Sequence, residues 1–250
     1  MDHRTKIIII GATSAIAEHC ARLWVGRAAV DLTLVGRSAE RLKRVADDLQ
    51  VRSPQSAIRT VVSDFSQAAA IQTTVNDLWA GGAADVVLIA HGNLPDQAAC
   101  ESDLVLCAQA LDVNGVSPVL FAQGFAQHMA QAGQGTLAII GSVAGDRGRR
   151  SNYVYGAAKG LVTRFAQGLQ HRLAGSGVRV VLIKPGPTDT PMTAHFKAQG
   201  ASLAPVSAVA QATVAAIDKG QAVVYVPGKW WLIMMVVRHL PAFIFNKINI

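Results

Sequence analysis

The chain has 250 residues, which is enough for one large α/β domain and too few for two ordinary enzyme domains with a linker. Hydrophobic residues make up 51% of the sequence and charged residues 16%, a composition typical of a buried parallel sheet. With 23 basic and 16 acidic residues the formal net charge is +7, which favours anionic partners. Nucleic acid is a less suitable partner, because the sequence has no stripe of basic residues interleaved with aromatic residues.

The cysteines and the first residues predict the compartment. Cys20, Cys100 and Cys107 are odd in number and form no CxxC pair, so they indicate buried thiols rather than a disulfide framework or a zinc site. The N-terminal stretch MDHRTKIIIIGA has an apolar run far shorter than that of a signal peptide. We therefore expect a cytoplasmic protein, and we predict no metal site.

The first strand, turn and helix predict a phosphate-binding loop. The apolar run over residues 6–10 is typical of a parallel strand buried on both faces, and GATSAIA then leads into a helix over 18–27. Backbone N–H groups of such a turn can hold the pyrophosphate of a dinucleotide. Only the first of the three expected glycines is present, because Ala15 and Ala17 stand at the later positions. The predicted contacts are Gly11, Thr13, Ser14, Ala15 and Ile16.

The end of the second strand predicts which cofactor is bound. Asp31 opens this strand, whereas Arg37 and Ser38 follow its carboxyl end, where cofactors bind. A guanidinium at that place can pair with a 2′-phosphate, so we predict NADP in preference to NAD, which stays possible. The alternative for Arg37 is a solvated loop charge.

The pattern of strand and helix then repeats along the chain, which predicts a Rossmann-like doubly wound parallel sheet in a single α/β domain over residues 1–227. The further predicted strands span residues 58–62, 85–90, 136–140, 178–183 and 222–226, and the further helices span 39–50, 67–79, 101–132 and a segment ending near 174.

Residues that directly follow these strands are further candidates for cofactor binding. Asp64 could accept a hydrogen bond from the adenine amino group, or it could cap a helix. His91 follows the fourth strand and is given no catalytic role, since a lone histidine is more often structural. Prolines in the turn after the sixth strand force the chain to bend at the same edge. The predicted contacts here are Asp64, Phe65, Ala90, Gly92, Pro185 and Gly186.

Three residues between the fifth and sixth strands have a spacing that suggests hydride chemistry. Tyr155 and Lys159 are one helical turn apart, so the ammonium can lie beside the phenol. Ser142 stands at the carboxyl end of the fifth strand. A phenol with a pKa of about 10 is a poor base near neutrality, and we expect the adjacent ammonium and an oxidised nicotinamide both to favour its phenolate. Asn114 is either a satisfied core amide or a link between this lysine and water.

Taken together, GATSAIA, Asn114, GSVAG, YGAAK and PGPTDT resemble the short-chain dehydrogenase/reductase family over residues 5–227. The resemblance implies a ketone reductase in which the tyrosine is the general acid or base, the serine steadies the carbonyl oxygen and the lysine holds the nicotinamide ribose. It also implies that Asn114 supports a proton relay, that Thr188 and Thr190 contact the nicotinamide carboxamide, and that the chain is a homo-oligomer. The alanines of the phosphate loop, IAHG after the fourth strand and Thr188 depart from the family pattern.

Two segments are not accounted for by the family pattern. Arg147, Arg149 and Arg150 lie in the loop before Tyr155, as solvated charges or as a phosphate clamp for the substrate. The tail over 228–250 is apolar and basic but too short to cross a bilayer. It suits peripheral contact with the inner membrane face, and the alternatives are contact with another subunit or a flap over the core.

These segments resemble the decaprenylphosphoryl-2-keto-ribose reductase subgroup, which implies a keto sugar carried on a polyprenyl phosphate. The alternatives are a ketoacyl or hydroxysteroid reductase acting on a free lipid, and a non-catalytic dinucleotide sensor or membrane scaffold on the same fold.

Overall fold

The computed structural model describes residues 4–248 and contains a seven-stranded parallel sheet in the order β3-β2-β1-β4-β5-β6-β9. Two further strands, β7 and β8, form a small separate pair. The order reverses between β1 and β4, which confirms the predicted doubly wound α/β fold. The strands are β1 (Thr5–Ile10), β2 (Val30–Gly36), β3 (Ala57–Val62), β4 (Val86–Ile89), β5 (Gly135–Ile140), β6 (Val178–Pro185), β7 (Thr188–Asp189), β8 (Ala204–Pro205) and β9 (Val223–Val226).

Helices cover both faces of the large sheet. They are α1 (Ala15–Arg27), α2 (Ala39–Arg52), α3 (Ala68–Ala80), α4 (Gln97–Ser102), α5 (Leu104–Leu111), α6 (Ser117–Ala132), α7 (Tyr153–Arg172), α8 (Ala194–Ala198), α9 (Val206–Lys219), α10 (Lys229–His239) and α11 (Ala242–Phe245). Helices α1, α2 and α9 pack on one face, and α3, α6 and α7 pack on the other.

The isoleucine run of β1 shows why the sheet is continuously apolar. Ile7 and Ile9 belong to the core beneath α1, α2 and α9, whereas Ile8 and Ile10 belong to the core on the other face. Side chains alternate along a strand, so a strand covered on both faces has no position left for a polar residue. All four isoleucines are accordingly no more than 1% exposed.

The helix predicted over 101–132 is interrupted. Asp103 ends α4 and caps α5, because its carboxylate accepts from Val105 N at 2.7 Å and Leu106 N at 3.2 Å. A π-helical turn, Asp112–Val116, then joins α5 to α6. The segment Leu104–Ala132 is by length and composition apolar enough to span a membrane. Phe121 and Phe125 are nevertheless fully buried in the core beside the sheet, as expected of a core helix.

The tail folds back onto the sheet domain. Helix α10 packs on β9 and on the short 3-10 turn Val143–Asp146 that follows β5, and its Met234 is buried. The side chain of Trp230 lies so close to Gly186 that a Cβ there would collide with the indole. The tail therefore contacts two loops at the carboxyl edge of the sheet.

Candidate active site

A cavity of about 280 Å³, here called the catalytic cavity, lies at the carboxyl edge of the sheet. It is bordered by the loops after β1, β4, β5 and β6 and by the start of α7. The structure brings to it many of the predicted residues: Thr13, Ser14, Ala15, Ile16, Ala90, Gly92, Ser142, Arg149, Tyr155, Lys159, Pro185, Gly186, Thr188 and Thr190. The other predicted residues are not among its lining: Gly11, Arg37, Ser38, Asp64, Phe65, Asn114, Arg147 and Arg150.

Ser142 and Tyr155 both line the catalytic cavity, where the Ser142 hydroxyl is near enough to the phenol to lower its pKa. The Ser142 Oγ also accepts from the backbone N of Ala144 at 3.1 Å, so its own proton is available for donation. Burial raises the pKa of Tyr155 above its usual value and outweighs the opposite effect of Ser142. The phenol is therefore protonated near neutral pH and is ready to act as an acid.

Lys159 lies one turn further along α7, with its Nζ 5.9 Å from the centre of the Tyr155 ring. The ammonium donates to the carbonyl O of Ile140 at 3.1 Å and is almost completely buried. That burial lowers the pKa of Lys159 to about 8. For Tyr155 the largest effect is burial, which favours the neutral phenol, and the expectation that the lysine favours the phenolate stays a prediction.

Asn114 lies in the π-helical turn and is fully buried. Its Oδ1 accepts from Asn93 N at 2.8 Å, and its Nδ2 donates to Asn93 Oδ1 at 2.8 Å and to Ala110 O at 2.9 Å. The side chain thus has protein partners on both ends and holds the loop after β4. Its part in a proton relay stays a prediction.

The loop after β1 is closed by Gly11. This residue has a φ of +82°, and a Cβ there would lie 2.6 Å from the backbone and Cβ of His91. Gly11 N and Ala12 N both donate to Val35 O, at 2.9 and 3.0 Å. Gly11 therefore shapes the turn, and the residues that follow it line the cavity.

His91 was given no catalytic role, yet it lines the catalytic cavity. Its Nε2 is 2.9 Å from Ser117 Oγ, while its Nδ1 is buried without a partner among residues 4–248. Burial, with a smaller contribution from the positive charge of Lys159, lowers the pKa of His91 to about 3, so the ring is neutral. An orphaned buried nitrogen in a cavity beside the start of α1 fits a bound polar group such as a dinucleotide.

In the loops after β2 and β3, the predicted cofactor contacts Arg37, Ser38 and Asp64 lie outside the lining of the catalytic cavity. Arg37 is exposed, and Ser38 caps α2 by accepting from Arg41 N at 3.3 Å. Asp64 accepts from Ser66 N and Ser66 Oγ, both at 2.8 Å, and so holds the turn before α3, whose N-cap residue is Gln67. Sequence reasoning missed Arg41, which lines the cavity and donates to Thr13 O at 3.2 Å. Its position one helical turn after Arg37 was the available signal.

The loop after β6 is held by its own side chains. Thr188 is buried, and its hydroxyl donates to Gly186 O at 2.9 Å. Thr190 begins the 3-10 turn Pro191–Thr193 and shares a capping box with Thr193. Trp230 covers Gly186 from the tail, a contact that no local sequence pattern predicts.

The three arginines before Tyr155 have different surroundings. Arg147 was expected to be either a solvated charge or part of a phosphate clamp, but its Nη1 donates to the carbonyls of Val237 and Leu240, both at 2.6 Å. Its guanidinium also lies 3.7 Å from the centre of the Phe245 ring. The structure therefore corrects the expectation for Arg147, since the open carbonyls at the end of α10 attract its guanidinium. Arg149 lines the catalytic cavity, and Arg150 is exposed.

A second cavity of about 340 Å³, the tail cavity, adjoins these arginines. It is lined by Gly148, Arg149, Arg150, Tyr153, Phe245, Asn246 and Ile248. Arg149 is thus shared by the two cavities.

Beneath the loop, a buried polar cluster that sequence reasoning missed ties three elements together. Asp146 forms an ion pair with Lys184 of β6, and both side chains are less than 5% exposed. Tyr225 OH of β9 donates to the other carboxylate oxygen of Asp146 at 2.7 Å. Burial and the hydrogen bond to Asp146 raise the pKa of Tyr225 to about 12, so it stays a donor. The cluster holds the turn after Ser142 against the sheet.

Comparison with known proteins gives consistent matches. The family model described as short chain dehydrogenase matches residues 5–201. An uncharacterised oxidoreductase of Streptomyces coelicolor is 34% identical over 97% of this chain and 95% of its own length. An uncharacterised oxidoreductase of Mycobacterium tuberculosis strain H37Rv is 33% identical over 96% of each chain.

Among solved structures, a short-chain dehydrogenase from Sphingobium yanoikuyae in complex with NADPH has a TM-score of 0.82 at 22% identity, covering 98% of this chain and 96% of its own. A short-chain dehydrogenase from Burkholderia cenocepacia in complex with NADP has a TM-score of 0.79 at 18% identity, covering 96% and 95%. At these identities the structures support the fold.

Proposed function

The chain belongs to the short-chain dehydrogenase family of oxidoreductases, and on that premise we propose that it interconverts a ketone and a secondary alcohol with NADPH. The observation that carries the proposal is that the Tyr155 phenol lies with Ser142 in one cavity at the carboxyl edge of the sheet, with Lys159 one helical turn away. The test is NADPH oxidation by the purified chain with keto-sugar, ketoacyl and steroid-like carbonyl compounds. No turnover with any of them would count against the proposal.

The site residues divide the chemistry between them. A bound nicotinamide supplies the hydride for the carbonyl carbon. Ser142 donates a hydrogen bond to the carbonyl oxygen, on which negative charge develops, and Tyr155 delivers the proton to that oxygen. Because burial keeps the phenol protonated, the arrangement suits reduction of the ketone. Lys159 has only a backbone carbonyl as partner in residues 4–248, and its ammonium can also bind the cofactor ribose.

The preference for NADPH is proposed from two arginines at the end of β2 and the start of α2. Arg37 and Arg41 can both approach a 2′-phosphate, and Arg41 is already held beside the phosphate-binding loop. We expect Arg41→Gln to weaken NADPH binding by about tenfold and NADH binding little, because one charge-assisted pair is lost. Fluorescence titration with each cofactor measures this effect.

Lys43→Gln is the matched control, since it removes one exposed positive charge from the same helix. A loss of affinity that is equal for NADPH and NADH in Arg41→Gln would contradict a role at the 2′-phosphate.

For the substrate, we propose a keto sugar carried on a polyprenyl phosphate. Asn152 Oδ1 is buried in the wall of the catalytic cavity without a partner among the described residues, so it could accept from a sugar hydroxyl. A free ketoacyl or hydroxysteroid-type lipid carries fewer hydroxyl donors than a sugar, so it is less suited to satisfy this oxygen. A non-catalytic dinucleotide sensor or membrane scaffold is less well supported, since such a protein needs no proton donor at Tyr155.

We propose that the protein is cytoplasmic and that its tail contacts the inner membrane face. Trp231, Leu232 and Val236 form an exposed apolar stripe on α10, more than half exposed in each case, and Phe243 of α11 is 70% exposed. Lys229, Arg238 and Lys247 supply positive charge in the same segment. Apolar residues with basic neighbours suit the surface of anionic lipids.

The double variant Leu232→Ser/Val236→Ser is expected to lose most co-sedimentation with anionic liposomes while it keeps its fold, because both side chains point to solvent. The matched control is Val51→Ser, an exposed valine on α2. Sedimentation velocity of the same proteins without lipid tests whether this stripe instead contacts a second subunit. A shift from oligomer to monomer in the double variant, with liposome binding unchanged, would assign the stripe to a second subunit.

A further inference from the structure

Arg149 is a partly buried guanidinium without a carboxylate partner or a side-chain hydrogen bond in the part of the chain that the structure describes. Burial lowers its pKa, and no acidic group offsets that effect. A cation removed from water is unfavourable unless an anion accompanies it. An unpaired arginine between two cavities therefore indicates an anionic ligand.

The two cavities that Arg149 joins differ in character. The catalytic cavity contains Tyr155, whereas the wall of the tail cavity includes the apolar side chains of Phe245 and Ile248. Among residues 4–248, no acidic side chain lines the tail cavity. A ligand that spans both would have a polar reacting end, an anionic group and an apolar chain, in that order.

The apolar wall is held in place by Arg147. Its guanidinium lies over the Phe245 ring and bonds the carbonyls of Val237 and Leu240, which fixes the junction between α10 and α11. The contact of Trp230 with Gly186 fixes the other end of α10. The tail thus forms a fixed wall of the tail cavity. Arg147 is a positioning residue, because it holds this wall in place.

We propose that the tail cavity binds a phosphate group of the substrate at Arg149 and the adjoining apolar chain at Phe245 and Ile248. The carbonyl of the same substrate then lies beside Tyr155 in the catalytic cavity. This inference rests on the proposed function, but the binding of the phosphate-bearing chain can be measured without turnover.

The test compares farnesyl phosphate, farnesol and inorganic phosphate by isothermal titration calorimetry with the full-length chain. Farnesyl phosphate should bind at least about tenfold more tightly than farnesol, because only it carries the anion. It should also bind more tightly than inorganic phosphate, which lacks the chain. The variant Arg149→Gln should bind farnesyl phosphate only as tightly as it binds farnesol. Arg164→Gln, an exposed arginine on α7, is the matched control and should change nothing.

Arg147→Ala should weaken the binding of both farnesyl phosphate and farnesol, because it releases the apolar wall from the loop. This result differs from that expected for Arg149→Gln. Thermal unfolding and NADPH binding check that each variant is folded. Unchanged farnesyl phosphate binding in Arg149→Gln, or equal affinities for farnesyl phosphate and farnesol, would overturn the proposal. If inorganic phosphate bound as tightly as farnesyl phosphate, the apolar wall would contribute nothing to binding, and that part of the proposal would be wrong. Arg149-dependent binding without turnover of any carbonyl compound would instead count against the proposed function alone.

Discussion

Tyr155→Phe is expected to lower kcat for carbonyl reduction by about 10²–10⁴-fold, the range by which a positioned acid contributes to catalysis. The substitution removes only the hydroxyl, so the ring still fills its place beside Lys159. NADPH binding should change little, because the phenol proton is needed only when charge develops on the substrate oxygen. Steady-state kinetics with NADPH and the best carbonyl substrate, together with a cofactor titration, measure both effects.

Tyr153→Phe is a closely matched control. Tyr153 begins the same helix two residues earlier, but it is 45% exposed and lies outside the catalytic cavity. Because Tyr153 lines the tail cavity, its variant should keep nearly full kcat toward a small carbonyl substrate that has no lipid chain. If Tyr155→Phe kept a tenth or more of the wild-type kcat, another group would have to donate the proton.

Lys159→Met is expected to have opposite effects on activity and stability. It removes the ammonium that we assign to the cofactor ribose, so kcat/KM should fall by roughly 10²-fold or more through loss of positioning. It also removes a buried charge. The pKa of Lys159 is lowered from 10.5 to about 8 in the folded protein, so folding disfavours the protonated form. At pH 7 the variant should be more stable by on the order of 1–3 kcal/mol, less the hydrogen bond to Ile140 O.

The lowered pKa of Lys159 also predicts how the free energy of unfolding depends on pH. Between pH 8 and pH 10.5 the unfolded chain binds more protons at this lysine than the folded protein does, so the contribution of Lys159 to the free energy of unfolding rises with pH in that window. Lys159→Met should lack this rise. Urea unfolding of both proteins at pH 7 and pH 10 measures it, with Lys219→Met, an exposed lysine at the end of α9, as the control. A variant less stable than wild type at pH 7 would contradict an unfavourable buried charge.

Local patterns in the sequence were enough to predict the sheet and the central residues of the site. The buried strands are nearly continuous apolar runs, and parallel strands bring their carboxyl ends to one edge, so Ser142 and the turn at Pro185 had to meet there. Helical spacing placed Tyr155 and Lys159 one turn apart, and the resemblance to the short-chain dehydrogenase/reductase family implied their roles. The break at Asp103 was missed because the flanking sequence is apolar and helix-forming, and the capping carboxylate is a single residue.

Contacts between distant segments could not be predicted in the same way. The Asp146, Lys184 and Tyr225 cluster joins a loop to two strands, and no spacing rule relates the three residues. Arg147 and Arg149 are two positions apart in the same loop, yet one bonds the tail and the other faces both cavities. Their difference depends on where the tail lies, which the sequence pattern left open.

The attachment of the tail at both ends has a consequence for laboratory evolution. Trp230 touches the loop after β6, and Arg147 connects the far end of α10 to the loop before Tyr155. Substitutions selected in these two loops therefore share one supporting element, so their effects on affinity should not add. Libraries that vary both loops together with α10 would sample compatible combinations that stepwise selection of single changes passes over.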